Sequence, residues 1–278
     1  MQSDMTLYHD PKGMASQAAR LILAENGAAC RLHVVSAGFS SAHLHPKFAA
    51  INPAMTLPVL VSAGRPVCAL NEISDEIAGA VPDLSADQRR WVWSAADYWD
   101  SLLAVGLVKP WMQGAARFEL RRRMQLARRY ARKNPGLASE YENKISEFQR
   151  LEAAVGDEEK TQARLRRLDE LFNRFEKHIA GRAFVFGDSW SAADAAWTAF
   201  IARLRALGLR DIVNRTRHPA TSVYFNAMKR RPSFAAAGVR DARILLGLSL
   251  SQTSTPFTSA QFNAAPFSTP TLDQRSAS

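Results

Sequence analysis

The chain has 278 residues, 47% hydrophobic and 22% charged, enough for two modest packed domains and too apolar for wholesale disorder. No run approaches the roughly 18 unbroken apolar residues of a membrane span, and residues 1–7 lack the basic and apolar regions of a secretory signal. The net charge of +10 raises nucleic acid as a partner, but much of the excess falls between Arg117 and Lys133, in a helical pattern without interleaved aromatics, and reads as a solvated helix face. Neither a nucleic-acid nor a membrane partner is expected. Cys30 and Cys68 form no CxxC pair and no metal set, so a reduced, cytoplasmic setting is the natural expectation.

In chain order, Met5 to Tyr8 is a short apolar run that reads as a strand. Ser16 to Asn26 reads as a helix, with Ala19, Ile22 and Leu23 on one face and Gly27 where a helix C-terminus favours glycine. Arg31 to Val35 is a second strand, and Phe48 to Ile51 a helical turn that stops at Asn52-Pro53. Pro58 to Val61 and Pro66 to Leu70 are two further short strands around the turn Ser62-Ala63-Gly64, with a helix after them. Pro82-Asp83 reads as a linker, and from Ala86 onward the pattern is helical. Leu165, Leu168, Leu171, Phe172, Phe175 and Ile179 recur at three- and four-residue steps, the buried stripe of a long amphipathic helix. Lys133-Asn134-Pro135-Gly136 breaks the helix before it. Ser191 with Asp194 three residues on has the spacing of a capping box. The residues from Ser251 onward are rich in Ser, Thr, Gln and Pro, and disorder is expected there. The domains expected are 1–82, 83–250 and a tail, 251–278. His43 and His45 form an HxH pair without a third ligand, so no metal is expected.

Three segments, in order, carry a family resemblance. Leu7-Tyr8-His9-Asp10-Pro11-Lys12-Gly13-Met14-Ala15-Ser16, Ile51-Asn52-Pro53-Ala54-Met55-Thr56-Leu57-Pro58-Val59-Leu60 and Phe186-Gly187-Asp188-Ser189-Trp190-Ser191-Ala192-Ala193-Asp194 resemble, respectively, the first strand and active-site loop, the NPxGxVPxL segment and the GDxxSxAD segment of the glutathione transferase superfamily. Met55 stands where that family has glycine. The resemblance implies an α/β plus all-α protein: a thioredoxin-like N-terminal domain, with a mixed four-stranded sheet, and an all-helical C-terminal domain. It also implies glutathione as cosubstrate and a homodimer. Within it, Pro58 is expected to follow a cis peptide, so that Leu57, beside Thr56, offers its N–H and C=O to the extended tripeptide. Ser16, or a backbone N–H near Ala15, is expected to hold the glutathione sulfur, since a helix N-terminus favours a thiolate. The family's Glu-Ser pair at helix three is degenerate: periodicity sets Ser74 in the serine position and leaves Ile73 where Glu is expected, with Glu72 one residue away. The resemblance also makes Lys47 a candidate for the glycyl carboxylate. Tyr98, Trp99, Trp111 and Met112 are candidates for an aromatic wall against a small planar substrate.

The run from Arg121 to Tyr141 resembles the extended insertion of the branch with tetrachlorohydroquinone reductive dehalogenase, to which the bacterial lignin β-etherases are a related comparison. The dehalogenase's cysteine position at helix one is Ala15 here, and Cys30 precedes strand two. The resemblance therefore implies substitution by glutathione thiolate on an aromatic electrophile, with β-aryl ether cleavage as one form. A glutathione-dependent dehalogenase or isomerase and a non-catalytic interaction module are the alternatives.

Overall fold

The computed structural model describes residues 5–38, 40–78, 91, 95, 105–210 and 214–239. Its first part is a four-stranded mixed sheet with strand order β2-β1-β3-β4. The strands are β1 (Met5–His9), β2 (Arg31–Val34), β3 (Val59–Ser62) and β4 (Arg65–Val67). β1 pairs parallel with β2 and antiparallel with β3, in the register Leu7↔Leu32 and Leu7↔Leu60. The helices among them are α1 (Met14–Glu25), α2 (Pro46–Ile51) and α3 (Leu70–Ala78). This is the thioredoxin-like arrangement that the resemblance implied. The β3–β4 turn puts Ala63 and Gly64 both at positive φ, 47° and 77°, the twist-matched geometry of a two-residue hairpin.

The helical part has α4 (Gln113–Lys133), α5 (Ala138–Ala154), α6 (Glu158–Ile179), α7 (Ala192–Ala206), α8 (Pro219–Arg230) and α9 (Pro232–Ala236). The main core joins the two parts. Leu7, Leu21, Ile22 and Ile73 from the first pack in one cluster with Leu168, Phe172, Phe175, Trp197 and Phe200 from the second. The expected stripe of α6 is buried, and Phe175 stacks on Trp197 at 3.7 Å between centroids. At the start of α7, the fully buried Asp194 accepts from the Ser191 N–H and hydroxyl, the Val185 N–H and the Tyr224 hydroxyl, at 2.9–3.0 Å. Burial pushes its carboxyl up while these four bonds pull it back down.

The helical hairpin α4–α5 builds a second core against the edge of the sheet domain. Leu120, Met124, Ala127, Tyr141 and Phe148 close over Leu44, Ala49 and Met55. The Tyr141 hydroxyl donates to the Leu44 carbonyl at 2.8 Å, and Arg122 donates to the Ser41 hydroxyl oxygen at 2.9 Å. This explains Met55. Its φ is 51°, the left-handed conformation that suits glycine, yet its side chain is 1% exposed and fills the hairpin interface. The expected domain boundary at 82/83 and the tail, 251–278, lie outside the described residues.

Candidate functional site

The pairing pattern gathers four chain segments at one end of the sheet. β2 and β4 run parallel to β1, and β3 runs against it. The C-terminal ends of β1, β2 and β4 and the N-terminal end of β3 therefore share an edge. Following them are the N-terminus of α1, the loop before α2, the N-terminus of α3 and the residue Leu57 that precedes β3. Because Tyr8 pairs with Val59, the next register steps set Leu57 beside the loop that leaves β1. The Leu57–Pro58 peptide is cis.

Each segment presents backbone donors to this edge. Asn52, 3% exposed, pins the loop before Leu57: its Nδ2 donates to the Thr56 carbonyl and hydroxyl, and its Oδ1 accepts from the Ala54 N–H. Among the described residues, no hydrogen bond engages the Leu57 N–H or C=O. In α1 the first intrahelical bond runs from the Gln17 N–H to the Gly13 carbonyl, and Gly13 supplies no side-chain cap. The amides of Met14, Ala15 and Ser16 are left without carbonyl partners among the described residues. In α3 the Ile73 N–H bonds to the Ala69 carbonyl, leaving the amides of Leu70, Asn71 and Glu72 in the same condition.

The loop from β1 to α1 is braced from below. Asp10 accepts from the Lys12 N–H at 2.9 Å and from the Ala37 N–H at 3.0 Å, which ties it to the loop before α2. Buried Arg20 donates to the carbonyls of Asp10, Pro11 and Ala237 and to His9 Nδ1. Since arginine cannot accept, His9 Nδ1 must, which places the His9 proton on Nε2. Burial first, and then the Arg20 charge, lowers the His9 pKa to about 4, so the ring stays neutral.

Residues 148–227 match the model of the glutathione S-transferase C-terminal domain. The chain is 27% identical over 250 residues to the tetrachloro-p-hydroquinone reductive dehalogenase of Sphingobium chlorophenolicum, covering 85% of this chain and 96% of that protein. The chain is similar to glutathione S-transferases. Two solved structures share the fold of this chain. The β-etherase LigF from Sphingobium sp. strain SYK-6 has a TM-score of 0.64 at 17% identity, over 84% of this chain and 98% of that one. A glutathione S-transferase from Methylobacillus flagellatus KT, solved with glutathione bound, has a TM-score of 0.54 at 16% identity, over 86% and 100%.

Within this glutathione S-transferase fold, the expected site residues are placed unevenly. Thr56, Leu57 and Pro58 lie at the shared edge. Ala15 is half-buried in the first turn of α1. Ser16 is fully buried, and its Oγ accepts from the Asp10 N–H at 3.1 Å. Its hydroxyl thus faces the underside of the loop, and Gly13, not Ser16, holds the N-cap position. Lys47 is exposed in the first turn of α2, where its N–H donates to His45 Nδ1. The helix-three reading needs correction. α3 begins at Leu70, so Ser74 sits in the second turn, 5% exposed, away from the helix's free amides. Ile73 is fully buried in the main core, which fixes this phase. Glu72 is exposed in the first turn. The residue missed was Asn71, in the same first turn, whose Oδ1 is buried without a partner among the described residues. An asparagine opening a helix was the available signal.

Of the four aromatic-wall candidates, Tyr98 and Trp99 lie outside the described residues. Trp111 is 79% exposed and Met112 is buried, so these two form no common wall. His43 is buried in the hairpin interface with its Nδ1 unpartnered. Burial, with the charges of Lys144 and Arg123, lowers its pKa to about 3. Cys68 is exposed between β4 and α3, and burial of its sulfur and the Glu72 charge push its thiol up, away from thiolate character.

Proposed function

We propose that the protein is a glutathione transferase that substitutes glutathione thiolate onto an aromatic electrophile, with β-aryl ether cleavage as a candidate reaction. The observation that carries this reading is the set of unpartnered backbone groups at one sheet edge: Leu57 N–H and C=O, the first amides of α1 and the first amides of α3. They fit the three parts of an extended tripeptide. Leu57 would pair its cysteinyl backbone as an added strand. The α3 amides and the Asn71 side chain would hold the γ-glutamyl end, in place of Ser74. Exposed Lys47 is the cation for the glycyl end. When bound, glutathione supplies the nucleophilic sulfur that attacks carbon and displaces an aryloxide or halide. The chain's part is to favour the thiolate with the Met14 and Ala15 amides and the positive end of the α1 dipole. Ser16 and Asp10 hold those amides in place. The solved relative with bound glutathione and the etherase and dehalogenase relatives support this reading.

The first test is titration with glutathione by calorimetry, with millimolar or tighter binding expected. Turnover of a β-aryl ether model, with formation of the glutathione thioether, tests the chemistry. Binding without turnover of ethers or haloarenes leaves glutathione binding standing and removes the etherase reaction. The absent Glu-Ser pair and the buried Ser16 favour a second reading, a non-catalytic module. No binding heat at millimolar glutathione would assign it. A homodimer is expected in solution, and light scattering checks it.

A further inference from the structure

The solvent face of α4 carries a surface that nothing described in the fold uses. The helix buries Ala116, Leu120, Met124 and Ala127 against α5 and the sheet domain. On its opposite side are Phe118 and, in the 3-10 turn Pro110–Met112 that leads into it, Trp111, 68% and 79% exposed, the two most exposed large hydrophobic side chains among the described residues. The same side continues into exposed Arg128, Arg129, Arg132 and Lys133. These four make no ion pair among the described residues. The only acid of α4, Glu119, is turned inward onto Arg122 and Arg123, and Arg121 is neutralised by Glu152. At about 1.5 Å per residue, the face spans roughly 30 Å, aromatic at one end and cationic at the other.

We propose that this face docks on an anionic phospholipid surface. An indole and a phenyl ring exposed about two helical turns apart on one side settle at the headgroup–acyl boundary, and guanidinium groups on the same side meet phosphate. A merely solvated face accounts for the arginines but leaves two large aromatics in water. A single-stranded nucleic acid would favour aromatics set among the cations, whereas here the two groups are segregated. The surface is separate from the glutathione site and stands without it.

The experiment is co-sedimentation of the full chain with phosphatidylcholine vesicles, with and without phosphatidylserine. Binding to the anionic vesicles alone, weakening with added salt, is the expected result. The double variant R128Q/R132Q should lower the partition about fivefold per charge removed. W111S/F118S should lower it too, without changing its salt dependence. All four positions are exposed, and unchanged helical circular dichroism confirms that the variants fold. Equal binding to neutral vesicles, no binding to either, or full binding by both variants overturns the proposal. A shift of single-stranded or duplex DNA with no vesicle binding overturns it in favour of nucleic acid.

Discussion

Asn71 and Met55 show how much a single position can carry. Asn71 has a buried amide oxygen without a partner among the described residues in the first turn of α3, an acceptor of the kind an ammonium group needs. Asn71→Leu is expected to raise the glutathione Kd about tenfold, the loss of one or two hydrogen bonds, at unchanged thermal stability. Calorimetry beside thermal unfolding measures both, and an unchanged Kd would move the γ-glutamyl end elsewhere. Met55 combines a left-handed backbone with a buried side chain. Truncation to alanine removes the packing and keeps the backbone cost. Truncation to glycine removes both. Met55→Ala should therefore destabilise by about 2–4 kcal/mol, and Met55→Gly by about 1 kcal/mol less. Urea denaturation that ranks glycine below alanine would refute this account of the position.

The elements depend on a few buried polar contacts. The start of α7 rests on Asp194, which satisfies four donors at once. Removing the carboxylate leaves the Val185 and Ser191 amides without their acceptor and takes one of the bonds of the buried Tyr224 hydroxyl. Asp194→Ala should cost about 3–5 kcal/mol, read as a fall in the denaturation midpoint, and Asp194→Asn less, because its amide oxygen still accepts. At the other end of the helical part, Arg231 donates twice to Glu25 at 2.6 Å, clamping the start of α9 to the end of α1. The Arg20 bond to the Ala237 carbonyl continues that clamp to the loop beneath the site. The β1–α1 loop is therefore held from both domains.

For the whole molecule, buried neutral histidines contribute to the response to acid, beside the bonded carboxylates Glu25, Glu119 and Glu176, whose pKa values are lowered. His9 titrates at about 4 and His43 at about 3 in the fold, against 6.5 in an unfolded chain. Between pH 6.5 and about 4, the unfolded chain binds more protons than the folded one, so stability falls as pH falls. The two groups together give a slope of about 2.5 kcal/mol per pH unit near pH 5. His33, His45 and His178 are lowered by burial in the same sense and add to it. His43→Leu should reduce the slope by about half of that two-histidine amount, measured by urea denaturation at pH 5 and pH 7. A slope unaffected by the substitution would show that His43 is protonated in the fold. The charge of the molecule bears on membranes in another way. No described helix is long and apolar enough to cross a bilayer, but a helix face can lie on one.

Local patterns settled most of the architecture. The strand and helix order, the α6 stripe, the Ser191–Asp194 box and the turn at Ala63-Gly64 are each written in residues a few positions apart, where periodicity and turn chemistry act. Leu57-Pro58 was legible in the same way. The positions of Ser16, Ser74 and Trp111 were not, because each turns on which face of a short element packs inward. Ile73 against the core set the phase of α3, and the bond from the Asp10 N–H drew Ser16 under its loop. The hairpin closing over Met55 joins residues some seventy positions apart. Only the folded chain brings such distant side chains into contact, and burial there outweighs local preference.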